Sequence, residues 1–502
     1  MRPAMEDFTE LLDLAAGRLG GRVLFANDEF FAEKENLIKS EAAVWLEHEY
    51  TERGKWMDGW ESRRRREPGY DFALLRLAVP GIIRGVVVDT AFFRGNYPEQ
   101  CSLEGAWVDG YPNPETLLEP EVQWETLLEK CDLQGNEKNR FEVRHPGAFN
   151  VLRFNIFPDG GVARLRVHGE PVIDFGHLPV GPGLVDLAAA LHGGRVVACS
   201  DSFFGPKNNL IMPGDARNMG EGWETRRRRG LGHDFVVVRL ASRGTIRCVE
   251  VDTTHFKGNA PARCLVEGTC AEGEAPGADA QYWPILEATL QPHTRHIFID
   301  EISSEQVASH ARLNIYPDGG VARLRLHGEI PEEERARQGL RLLNALPSLR
   351  AELDLRACCG SSLWATSMAR ARPFESVDDL MAQASRIWTQ LPPDAHREAF
   401  AAHPRIGERP VGSDAHARWS RREQSSASSV SEETRIELAR VNKEYDERFG
   451  FVFLICATGK TADEMLAAAK ERLNNAPDRE LAVAAAEQEK ITRLRLRRLL
   501  TC

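Results

Sequence analysis

Residues 17–330 hold two copies of one unit, and that duplication constrains the chain more than any other feature. "GGRVLFANDEFFAEKENLI" (20–38) returns as "GGRVVACSDSFFGPKNNLI" (193–211), and "GWESRRRREPGYDFALLRL" (59–77) as "GWETRRRRGLGHDFVVVRL" (222–240). "VVVDTAFFRGNYPEQCSLEG" (86–105) returns as "VEVDTTHFKGNAPARCLVEG" (249–268), and "RFNIFPDGGVARLRVHGE" (153–170) as "RLNIYPDGGVARLRLHGE" (312–329). Four blocks in one order mean two tandem domains, expected at 17–175 and 190–330. The period is too long for a solenoid unit, so each copy needs its own core.

The blocks read as strands. "FALLRLAV" and "IIRGVVVDT" are short, aliphatic or β-branched, and bounded by Gly and Pro. "NIFPDGGVARLRV" reads as a hairpin, with Pro-Asp-Gly as its turn. After that turn Arg164, Arg166 and His168 alternate with Leu165 and Val167, which predicts a strand with one apolar and one polar face. The second copy repeats this with Arg323, Arg325 and His327. Many short strands of this kind predict β-sandwiches of the jelly-roll type.

The arginines fit either a solvated face or a site for a small, multiply hydrogen-bonding anion. Guanidinium forks match carboxylates in a way that lysine does not, and both four-arginine runs (63–66 and 226–229) lack lysine. A net charge of −11 argues against a nucleic-acid partner. No apolar stretch approaches the roughly 20 residues that span a bilayer, and the N-terminus lacks a signal-peptide pattern. A cytoplasmic, non-membrane enzyme is expected. The ten cysteines include no CxxC pair, so they read as reduced thiols and not as a zinc site.

With "FFAEKENLI", "GWESRRRR", "VDTAFFRGN" and "NIYPDGGVARLR", residues 17–330 resemble the allantoicase family. The resemblance implies two tandem jelly-roll repeats related to galactose-binding domains, and hydrolysis of allantoate to ureidoglycolate and urea. Allantoate, a small carboxylate with two ureido groups, suits the arginine-rich face.

Trp60 and Trp223, Asp71 and Asp234, and Asp89 and Asp252 match between copies and read first as fold determinants. The differences are more informative. The second copy has His233, His255 and His293 where the first has Tyr70, Phe92 and Asn136. Histidine suits general acid–base work near neutral pH. Catalysis is therefore expected in the second repeat or in the groove between repeats. His233 and His255 are the candidates, with Lys257, Asn259 and Arg226 of the second run as substrate contacts. Asp252 and His255 could also ligate a divalent ion, a possibility left open for this part of the chain.

After Glu329 the pattern changes. "IPEEERARQGLRLL" is charged and helix-prone. From residue 341 to 502, "SVDDLMAQASRIWTQL", "SVSEETRIELARVNKEYDERFG" and "TADEMLAAAKERLNN" show helical spacing behind capping residues. The closing "RELAVAAAEQEKITRLRLRRLL" reads as one long amphipathic helix, giving an all-α domain. His403 of "HPRIGE" precedes a proline and so sits at a helix boundary. Ser420, Glu423 and Gln424 of "SRREQ" share a helical face, and Gly450 of "RFGFVFLIC" would let backbone approach a ligand.

"CCGSSLWATSMARARPF", "HPRIGE", "SRREQ", "RFGFVFLIC" and "EKITRLRL", in that order, resemble 2-oxo-4-hydroxy-4-carboxy-5-ureidoimidazoline (OHCU) decarboxylase. The resemblance implies cofactor-free formation of (S)-allantoin, with His403 and Glu423 catalytic. Ser420, Gln424, backbone near Ile455, and Arg495 would hold the substrate. Arg405 stands where many relatives carry an acidic residue.

Both resemblances fall on urate catabolism, on either side of allantoin hydrolysis. The sequence thus predicts a bifunctional, homo-oligomeric enzyme acting on small ureido acids. A decarboxylase carrying a non-catalytic jelly-roll binding or assembly module is the alternative.

Overall fold

A computed structural model describes residues 7–173, 184–405 and 432–501. The chain divides into two compact units, Met1–Gln338 and Gly339–Cys502. The first contains two antiparallel β-sandwiches of eight strands each.

Each sandwich is organised by one long strand, Asp71–Asp89 in the first and Asp234–Asp252 in the second. Its first part pairs with Arg22–Ala26 and Ala148–Phe157, beyond which Gln100–Ala106 and Glu125–Asp132 complete a layer. Its second part pairs with Arg164–Pro171 and Lys138–Glu142, which build the facing layer. "FALLRLAV" and "IIRGVVVDT" are therefore halves of one strand and not two separate strands. Pairing with Ala148–Phe157 slips between Arg76 and Gly81, where the strand passes from one layer to the other.

The expected hairpin also differs. Ala148–Phe157 and Arg164–Pro171 do not pair with each other; they pair with opposite parts of Asp71–Asp89. The Pro-Asp-Gly turn thus bridges the layers. The reason lies just after it, where Gly161 and Val162 pair with Glu61 and Trp60 and carry the chain across. Both matched tryptophans are fully buried, and their indole N–H groups donate to the Asp28 and Asp201 carbonyls at 2.8 Å. Buried aliphatic side chains from both layers surround them.

The C-terminal unit is helical: α1 (Glu332–Ala345, which begins in the first unit), α2 (Ser348–Cys359), α3 (Ser362–Arg370), α4 (Val377–Gln390), α5 (Pro393–Ala401), α6 (Glu432–Phe449), α7 (Ala462–Arg472) and α8 (Pro477–Thr501). The caps follow the sequence signals. Ser376 accepts from the Asp379 amide, and Thr461 and Glu464 form a reciprocal capping box. Gly450 ends α6 with φ +75°, and a Cβ there would meet nothing. It serves as a left-handed helix cap.

Candidate functional site

Each four-arginine run begins with a pinned residue. Arg63 Nε lies 2.7 Å from Asp28, and Arg226 Nε lies 3.6 Å from Asp201 while its guanidinium covers the Phe203 ring. The third arginine is pinned twice. The amides of Arg65 and Arg228 donate to Asp159 and Asp318 of the layer-bridging turns, both at 2.8 Å. Their guanidinium groups pair with the buried carboxylates of Asp71 and Asp234. The remaining members, Arg64, Arg66, Arg227 and Arg229, are exposed.

The strand arginines depart from a simple wet face. Arg164 is 2 % exposed and Arg323 is 4 % exposed. Arg164 donates to the carbonyls of Glu41, Asp58 and Ala163, and Arg323 to those of Gly214, Glu221 and Ala322. Burial is affordable because those loop carbonyls replace water.

The second repeat gathers its candidate residues at one end, around the turn after Tyr316. The His233 ring packs on Tyr316 at 4.7 Å. Asn314 Nδ2 donates to Glu267 and to the Leu265 carbonyl, so its oxygen faces His233 Nε2 at 3.0 Å. Asn259 bonds Glu224 at 2.6 Å, and its carbonyl accepts from Gly320. Lys257 is exposed nearby. His255 has φ +77° and sets Nε2 2.8 Å from the Ala216 carbonyl. Carbonyl oxygens only accept, so Nε2 of both His233 and His255 carries hydrogen. In the neutral rings Nδ1 is left as the basic nitrogen. His293 has a different duty. Its Nδ1 accepts from the His255 amide at 2.8 Å, just as Asn136 Oδ1 accepts from Phe92 in the first repeat.

In the helical unit, His403 follows Ala402, the C-cap of α5, and is half-buried. The turn between α2 and α3 comes close to it: Gly360, at φ +88°, would place a Cβ 2.7 Å from that of Ala402. Cys359, the last residue of α2, is fully buried, and burial pushes its thiol up to about 12 despite the nearby Arg495. Arg495 itself is fully buried on α8. Ile455 is held by its neighbours, since Arg472 donates to the Leu454 carbonyl at 2.8 Å and the Cys456 amide donates to Glu487 at 2.7 Å. Arg472 in turn pairs with fully buried Glu480, which also accepts from Tyr445. Arg405 pairs with Asp446 at 2.6 Å. Ser420, Glu423 and Gln424 lie outside the described residues.

The allantoicase repeat family profile matches residues 12–172 and 185–331, more than half of the chain. The chain belongs to the allantoicase family. A second profile, OHCU decarboxylase, matches residues 344–497. A probable allantoicase of Pseudomonas fluorescens (strain Pf0-1) is 46% identical over 333 residues, covering 64% of this chain and 97% of that protein. Probable allantoicase 2 of Burkholderia pseudomallei (strain K96243) is 45% identical over 324 residues, covering 64% and 95%. The crystal structure of allantoicase from Saccharomyces cerevisiae aligns with a TM-score of 0.53 and 32% identity, covering 64% of this chain and 93% of that one. The chain thus joins an allantoicase to an OHCU decarboxylase, two enzymes of urate degradation.

Against the allantoicase frame, the sequence reading missed Asp28, Asp58 and Asp159 and their second-copy counterparts as the groups that fix arginines. The Asp58/Glu221 difference, immediately before the matched Gly-Trp-Glu, was the available signal. Of the two candidate metal ligands, Asp252 accepts from the Thr254 amide at 2.8 Å and His255 Nε2 donates to the Ala216 carbonyl at 2.8 Å. Among the described residues no group of three or more His, Cys, Asp or Glu is placed to hold a metal ion. No described helix is long and apolar enough to cross a membrane.

Proposed function

We propose that residues 17–175 and 190–330 together hydrolyse allantoate to ureidoglycolate and urea, and that residues 341–502 decarboxylate OHCU to (S)-allantoin. What carries this reading is that two independent family matches on one chain fall on one catabolic route. The enzyme is read as cytoplasmic and homo-oligomeric, with small ureido acids as its substrates.

In the hydrolase, water adds to the central carbon of allantoate as the C–N bond to one ureido group breaks, and the departing urea takes a proton. His255 and His233 are the candidate proton carriers, because each offers Nδ1 as a base while Nε2 is anchored. Lys257, Asn259 and Arg226 are the candidate polar contacts. In the decarboxylase, the bond to CO2 breaks and its electron pair passes into the ring's carbonyl and imine system, so no cofactor is required. His403 with Glu423 moves the proton that replaces CO2. Ser420, Gln424 and backbone at Ile455 hold the ring, and Arg495 faces the carboxylate.

The test is urea release from allantoate by the full chain, with and without a divalent-metal chelator, alongside OHCU consumption by the same preparation. One urea per allantoate with ureidoglycolate as co-product supports the hydrolase. Chelator sensitivity would assign it a metal. OHCU consumption without urea release would favour a decarboxylase carrying a binding module.

A further inference from the structure

Arg164 and Arg323 occupy matched positions and make the same three kinds of backbone bond, yet their charges meet different fates. Arg164 Nη2 pairs with Asp58 Oδ2 at 2.8 Å, and the Val44 amide donates to the same oxygen at 3.0 Å. Val44 belongs to a seventeen-residue stretch, 42–58, whose counterpart 215–221 is only seven residues long. In the shorter loop Glu221 stands at the Asp58 position, but its carboxylate is taken by Arg217. No described carboxylate pairs with Arg323.

The shortened loop also leaves space. A cavity of about 640 Å³ lies at the seam of the two repeats, with Arg323, Gly214 and Asp215 on one side and Arg18, Arg22 and Glu41 on the other. Arg18 is exposed and lines the same cavity as Arg323. Burial disfavours the Arg323 charge, with Arg325 and Arg18 repelling it and Glu221 and Asp252 attracting it without an ion-pair contact. A buried guanidinium with a second cation near it, at the wall of a cleft, is poised for an anion. Glu41 and Asp215 add acceptors suited to N–H groups.

We propose that this seam cavity binds the carboxylate of a ureido acid, with Arg323 as its buried anchor, Arg18 as the second cation, and the rim carboxylates receiving ureido N–H groups. The proposal rests on the hydrolase reading and names the place where its substrate docks. His255 bears on the same site, since the Ala216 carbonyl it holds lies between Asp215 and Arg217 of the cavity wall. In the first repeat Asp58 closes the corresponding position by pairing with Arg164.

The experiment compares full-length wild type with Arg323→Lys, Arg18→Gln and Arg164→Lys. Urea release from allantoate gives KM and kcat, and thermal shift is measured with ureidoacetate and with its uncharged amide. Arg323→Lys should raise KM by about 10–100-fold, the value of a lost charge-assisted contact. Arg18→Gln, which removes no hydrogen bond or ion pair among the described residues, should raise it by a smaller factor. Arg164→Lys should leave KM unchanged, and ureidoacetate but not its amide should stabilise the wild type. An unchanged KM in both Arg323→Lys and Arg18→Gln overturns the proposal, as does an equal rise in Arg164→Lys, which would mark a structural effect. Wild type that releases no urea refutes the hydrolase reading instead. Ureidoacetate stabilisation then decides the site: its loss in Arg18→Gln supports the cavity, and its absence from wild type rejects it.

Discussion

The two repeats share their strand order, their buried tryptophan and their arginine runs, yet they differ where the chain is free to differ. In the first, loop 42–58 is long enough to lay Asp58 against Arg164. In the second, seven residues span the same gap and leave Arg323 to face a cleft. Phe92 and His255 likewise share a left-handed backbone fixed by a capping side chain, Asn136 in one case and His293 in the other. One copy fills the position with an inert ring, the other with a titratable one. Duplication preserved the scaffold, while the partner of the buried strand arginine differs between the copies, Asp58 for Arg164 and no ion-paired carboxylate among the described residues for Arg323.

The sharpest way to break this comparison is at the paired left-handed positions. His255→Ala should lower kcat for urea release by about 10²–10⁴-fold, the usual worth of a positioned acid or base. Phe92→Leu should leave kcat near wild type, and equal losses in both would contradict a division of labour. Next in size is the stability of the first repeat. Asp58→Ala strands the buried Arg164 charge and should cost about 3–5 kcal/mol in chemical denaturation. Glu221→Ala removes the partner of the exposed Arg217, whose side chain and amide lose their acceptor but leave no buried charge stranded in an ion pair, and should cost less.

Acid sharpens the same contrast. Burial raises the Asp58 carboxyl, but the Arg164 guanidinium and the Val44 amide outweigh it, so it titrates below the ordinary 3.8. A depressed carboxyl contributes stability that is present above its unfolded value and lost as pH falls through the folded one. Melting temperature measured on the acid side should therefore fall more steeply for wild type than for Asp58→Asn. The smallest effect is expected at the exposed run members: Arg227→Ala should change stability by no more than about 0.5 kcal/mol, as should Arg64→Ala in the first copy.

The fold class was legible because the repeats, the β-branched runs and the capping residues are local signals. The helix caps at Ser376 and Thr461 could be read for the same reason. What could not be read was pairing between distant segments. The sequence around Pro158-Asp159-Gly160 favours a turn, but whether the flanking strands join each other depends on Trp60 and Glu61, nearly a hundred residues earlier. The alternation at Arg164 showed a polar face, but its burial depends on carbonyls from residues 41 and 58. At the candidate sites, residue type was visible while ring orientation was not. Whether His293 caps an amide or faces a substrate is decided by its spacing to His255 in the folded chain.

The nineteen-residue strand Asp71–Asp89, like its counterpart Asp234–Asp252, belongs to both layers of its sandwich. Peeling one layer away would pull directly on the strand at the centre of the other. Each repeat should therefore open as a single cooperative block, with amides near Leu75 and near Val88 exchanging hydrogen at the same free energy although they sit in opposite layers.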